Sequence, residues 1–130
     1  MSATNAFETS LLSHIFANAD IANIGDATGL RGSSTAGNLY ISLHTADPGE
    51  AAVSGQQTSE CSYTSYARVA VVRSGSGWTI SGNNASNAAV VTFPTATGGS
   101  ETATHFGIGT ASSGAGVLLF KGSLNTTLAI

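Results

Sequence analysis

Three histidines, one cysteine and a thin scatter of charge are the reactive chemistry this 130-residue sequence offers. His14, His44 and His105 are each able to act as general base to a serine, provided distant strands bring a serine and a carboxylate to the same ring. Serine is so abundant here that such a meeting says little. The local signatures of catalysis are missing from the sequence. There is no G-x-S-x-G elbow, no G-x-x-x-x-G-K-[ST] loop and no H-E-x-x-H pair, and Gly107-Ile108-Gly109 never reaches the third glycine of a dinucleotide fingerprint. His44 and His105, with Asp47 nearby in sequence, are the nearest approach to a metal site, but zinc asks for three or four converging ligands and calcium for closely alternating oxygens. The expectation is no catalytic residue, no cofactor and no metal. Cys61 is the sole cysteine, which rules out an intrachain disulfide, and its surroundings, TSECSYT, hold no base to activate a thiolate. A semi-buried, inert thiol is expected.

Binding chemistry is better represented. Trp78, Tyr40, Tyr63 and Tyr66 form either a platform for sugar rings or part of a core, and the Trp78/Ile80 alternation favours the core for the tryptophan. Arg68 and Arg73 bracket an apolar strand, where they pair with acids on a partner or sit as solvated strand ends. Phe7, Leu11, Glu60, Tyr63, Arg68 and Arg73 are the candidate partner-contact residues.

The elements that must position these residues follow from periodicity. Asn5, with Glu8 three residues on, marks a helix start, and Phe7, Leu11, Leu12, Ile15 and Phe16 recur at three- and four-residue spacing, so a helix is expected over about residues 5–18. Residues 20–34, with Gly25, Gly29 and Gly32, read as a loop. In residues 38–50, NLYISLHTADPGE, strict alternation puts Leu39, Ile41 and Leu43 on one face toward a core and Tyr40, Ser42 and His44 toward solvent or a partner. Asp47-Pro48-Gly49 then ends the strand. Further strands are expected near 66–73, 77–81, 87–93, 103–109, 116–122 and 124–130, with glycine- and asparagine-rich turns between them. Seven short strands and one helix make a mainly β protein: an antiparallel, jelly-roll-like β-sandwich in a single domain over 1–130 with an N-terminal α-helix. Residues 50–65 are polar and longer than most connections, so they are either flexible or an ordered contact loop. Leu128-Ala129-Ile130 ends the sequence in mid-pattern, as a final strand or as the edge of a longer product.

Composition narrows the partners. Only 8% of residues are charged and the net charge is -3, against about 25% charged in an ordinary soluble domain. Such a surface, built from Ser, Thr, Asn, Gly and Ala, suits life in an assembly. Arg31, Arg68, Arg73 and Lys121 are too few to track phosphates, so nucleic acid is excluded. No apolar run approaches the roughly 20 residues that span a bilayer. The first residues also lack the pattern of a signal peptide, so no membrane partner and synthesis in a host cytoplasm are expected.

The runs NLYISLHTADPGE, YARVAV (66–71), SNAAVVTFP (86–94), THFGIG (104–109) and LLFKGSL (118–124) together resemble a family of small tailed-bacteriophage virion proteins, often labelled tail-fibre-like. The resemblance covers nearly the whole chain and implies a non-enzymatic structural protein located in the virion. Among virion roles, a compact domain without heptad or collagen-like period fits a head decoration (cement) protein that binds the major capsid protein better than a fibre shaft. A small tail or tail-fibre-associated protein and a carbohydrate-binding adhesion module are the alternatives. A symmetric homo-oligomer is the expected unit, with a trimer matching the threefold axes of shells.

Overall fold

The computed structural model describes residues 1–50 and 55–130. In chain order the elements are α1 (Asn5–Ala17), β1 (Asn38–His44), a short 3-10 turn (Gly55–Gln57), β2 (Val69–Val72), β3 (Trp78–Ser81), β4 (Asn84–Asn87), β5 (Thr102–Gly109) and β6 (Leu118–Ala129). The protein is therefore mainly β with an N-terminal helix, as its patterning requires. β2, β1, β5 and β6 form a four-stranded sheet in that order, and β3 and β4 pair as a two-stranded sheet. The chain divides into two compact units, residues 1–38 with 71–91 and residues 39–70 with 92–130.

In the first unit, α1 starts one residue earlier than the capping pattern suggests. Thr4, not Asn5, is the cap: its side-chain oxygen accepts from the Phe7 amide at 3.3 Å, and the Glu8 amide donates to its carbonyl at 2.9 Å. A helix leaves its first amides without internal partners, and a hydroxyl before the first turn supplies one. The far end stops at Asn18, which takes the left-handed conformation with φ 57°, tolerable because asparagine pays less for it than most side chains. Phe16 is buried and tilts against Trp78 of β3, with ring centroids 4.6 Å apart. Trp78 thus fills a core, as its alternation with Ile80 indicates. Thr9 donates to the Gly82 carbonyl at 2.7 Å in the turn between β3 and β4.

The strand expected over 87–93 is not formed. β4 covers Asn84–Asn87 instead, and the apolar residues after it lie outside any strand, with Val90 exposed. Asn87 turns its amide to donate to the Ala89 carbonyl at 2.7 Å, so a local side-chain bond competes with the ladder. Another correction concerns residues 116–122 and 124–130, expected as two strands and observed as the single β6. Their mismatch with β5 is absorbed by register shifts between Ala103 and His105 and between Ile108 and Gly109, the usual way to keep one strand continuous past extra residues.

In the second unit, Leu43, Cys61, Tyr63 and Ala103 form an apolar cluster joined by Tyr66, Phe93, Ala96, Leu124 and Ile130. Leu39, Ile41 and Leu43 are buried, as the alternation requires. The expectation for the opposite face is overturned. Ser42 and His44 are both 0% exposed, and Tyr40 is half-buried. Alternation reports which residues share a face; it does not report what later chain covers the other one.

Candidate functional site

The covered face of β1 carries a buried polar cluster. β1 and β5 run antiparallel with Tyr40 opposite Gly109, Ser42 opposite Gly107 and His44 opposite His105. A side chain at position 107 would reach 2.8 Å from both His44 Nε2 and Ser42 Oγ, and one at 109 would overlap Gln56. Gly116 is held to the same rule by the Gln56 side-chain oxygen. The G-I-G run, which mimics the start of a nucleotide loop, is thus a hollow in the sheet that admits the polar side chains of Ser42, His44 and Gln56.

His44 uses both ring nitrogens. Nδ1 lies 2.8 Å from the Thr58 carbonyl and Nε2 2.8 Å from Ser42 Oγ. A carbonyl only accepts, so Nδ1 carries the proton and Nε2 accepts from the serine hydroxyl. Burial holds the His44 pKa below its usual value, against the opposing effects of the Thr58 carbonyl and Glu60. This is the geometry of a serine with its base, but a pair with no exposed surface presents nothing to a substrate.

Beside it, Arg68 grips Glu60 through two parallel bonds, Nε to Oε1 at 2.6 Å and Nη2 to Oε2 at 2.7 Å. The guanidinium also donates to the carbonyls of Ala111 and Gly114, each at 2.8 Å. The bond to Glu60 raises the arginine pKa. Tyr66 donates to Glu60 Oε1 at 2.9 Å and accepts from the Leu43 amide at 3.0 Å, with its own pKa pushed up by burial. Gln56 donates to the Tyr40 carbonyl at 3.3 Å and accepts from the Ala111 amide at 3.1 Å. Paired, multiply bonded charges are the one form in which an ion pair sits stably inside a protein.

The candidate partner-contact residues separate accordingly. Phe7 and Leu11 lie exposed on α1. Glu60 and Arg68 pair with each other, and Tyr63 is buried with its hydroxyl donating to the Pro94 carbonyl at 2.9 Å. Arg73 caps α1, donating to the Ile15 carbonyl at 2.6 Å and the His14 carbonyl at 2.8 Å, where a cation also suits the negative end of a helix. Tyr63 and Tyr66 stand edge-to-face in the core and form no sugar platform. Cys61 is buried, deeper than expected, and desolvation pushes its thiol up to about 11. Of the segment 50–65, residues 51–54 lie outside the described residues, while Gln56, Cys61 and Tyr63 point inward. Ser42, Gln56 and Tyr66 are members that patterning missed. The trace they leave in sequence is the alternation of glycines at 107 and 109, legible only once the strand opposite is known.

No group of three or more metal-binding side chains occurs among the described residues, and no described helix is long and apolar enough to cross a membrane.

The protein is a mainly β scaffold in which the buried side chains of Ser42, His44, Gln56 and Arg68 are all hydrogen-bonded within the molecule. The chain belongs to the podophage GP4 fiber I protein gp80 family, whose model matches residues 2–130. It is accordingly a structural protein of a phage virion. No curated protein matches the sequence.

Proposed function

We propose that this chain is a non-enzymatic structural subunit of the fibre-bearing part of a podophage tail, assembled as a symmetric homo-oligomer. The family description over residues 2–130 carries this reading. The interior supports it: the best nucleophile and base, Ser42 and His44, are sealed from solvent, whereas an enzyme must present such a pair to its substrate. The contact surface assigned here is the α1 face that bears Phe7 and Leu11, both exposed, in a chain of which 8% of residues are charged. Large weakly charged surfaces are commonly covered in an assembly.

Decoration of the capsid shell through the major capsid protein is the second reading, favoured by the absence of any heptad or collagen-like shaft period from the sequence. A cryo-EM map of the virion tests both. Copies of the chain at the tail support the fibre reading, copies on the shell lattice replace it with decoration, and copies in neither place overturn both. Particles carrying Phe7→Ser with Leu11→Ser should lose the subunit while the purified variant stays folded. Deleting 50–65 is no test of contact, because Gln56, Glu60 and Cys61 hold the interior.

A further inference from the structure

We propose that residues 88–93 of one copy add to the outer edge of β6 in a second copy, at residues 118–123, so that the strand absent from the single chain forms between chains. The inference rests on the homo-oligomer reading above and names its contact; it is independent of where in the virion the assembly sits.

The donor is the run AAVVTF. It has the composition of a strand, yet β4 stops at Asn87, and the amides of Val90, Val91, Thr92 and Phe93 donate to no partner among the described residues. Both ends of the run are nonetheless pinned. The Ala88 amide donates to the Gly77 carbonyl at 2.9 Å, and the Phe93 ring stacks on that of Tyr66 with centroids 6.3 Å apart. Between the pins, Val90 and Thr92 are exposed while Val91 and Phe93 are half-buried, the alternation of a strand with one side covered. Val90 is 89% exposed, so this apolar side chain finds no cover within its own chain.

The acceptor is the edge of the four-stranded sheet. β6 pairs only with β5. Sheets ordinarily guard such an edge by short length, proline, charge or a bulge. β6 runs for 12 residues without proline, and its register shifts leave 120–123 in unbroken pairing with 105–108. Its one charge, Lys121, is already matched by Asp47 at 2.7 Å and Glu50 at 3.0 Å. Val117 and Leu119, beside this stretch, are 48% and 40% exposed. The opposite edge of the sheet, β2, has only four residues and is followed at once by Arg73.

A second copy is the occupant because each half supplies what the other lacks. The edge asks for a backbone with unspent N–H and C=O groups, and the run 88–93 carries them next to apolar side chains that need cover. Residues 88–93 carry no charge and Lys121 is neutralised, so the pairing brings no like charges together. Every copy offers one run and one edge, which lets a closed assembly satisfy all of them.

Sedimentation of the full-length protein tests this together with cross-linking from p-benzoylphenylalanine at position 90, using mixed heavy and light isotope-labelled chains. Wild type should be an oligomer whose cross-links run between copies, from position 90 to residues 117–123. Val90→Lys and, separately, Leu119→Lys should each weaken self-association about tenfold or more, with the melting temperature of the dissociated chain unchanged. Phe7→Ser with Leu11→Ser should leave self-association intact. Where a lysine variant does not fold, the cross-links decide alone. A monomeric wild type overturns the contact together with the homo-oligomer. An oligomer that Val90→Lys leaves intact, or whose cross-links from position 90 fall elsewhere, overturns the contact alone.

Discussion

The two units bury polar atoms by opposite rules. In the sheet unit, Ser42, His44, Gln56 and Arg68 are all buried, and each makes bonds within the cluster. In the helix and hairpin unit, the Trp78 indole N–H is buried with no hydrogen-bond partner among the described residues. An unpaired buried donor costs about 1–3 kcal/mol, whereas a satisfied one is close to neutral or mildly favourable. The first unit is thus held by aromatic packing despite an orphaned group. The second is held by a network that tolerates no missing member. Specificity of conformation follows from the network; tolerance follows from the packing.

Removing one member of the network should cost most. Arg68→Ala strands the Glu60 carboxylate inside the protein, and a loss of about 3–5 kcal/mol is expected, read as a shift in the urea midpoint. A loss under 1 kcal/mol would mean that water reaches Glu60 and that the two units are less different than described. Next in size is Gly109→Ala, whose new methyl overlaps Gln56. About 1–3 kcal/mol of overpacking strain is expected by the same measurement, with Gln56→Ala introduced alongside recovering part of it.

The opposite rule predicts mildness in the other unit. Trp78→Phe gives up some contact with Phe16 but also deletes the unpaired N–H, so the net loss should stay below about 1.5 kcal/mol. A larger loss would reveal a partner for the indole. Smallest of all is Phe7→Ser with Leu11→Ser on the exposed helix face, within about 0.5 kcal/mol for each site by thermal melting. Cys61 sharpens the contrast from a different side. Its thiol, buried and pushed up to about 11, should react with iodoacetamide at pH 8 only after denaturation, because the thiolate is the nucleophile.

How much of this was legible beforehand depends on whether a feature is local. The helix over Asn5–Ala17 and strands β1, β3 and β5 were readable to within a few residues, because a repeat of 3.6 or 2 is carried by neighbours along the chain. The cap slipped by one residue to Thr4, since two adjacent residues were each able to cap. The strand expected over 87–93 failed where Asn87 bonds the backbone ahead of it, a competition that an apolar run does not advertise.

By itself, the sequence determined the class, the apolar face of Leu39, Ile41 and Leu43, and membership of a phage virion family. Each of these is a property of composition, spacing or an extended run of residues. Only the tertiary structure decided that Ser42 and His44 are interior, that Arg68 belongs to Glu60, and that Gly107 and Gly109 are hollows for other side chains. Those facts come from pairings between residues far apart in the chain, such as Ser42 with Gly107, 65 positions away. Burial of a polar group is decided by whether distant chain brings it a partner, and spacing along one strand carries no record of that.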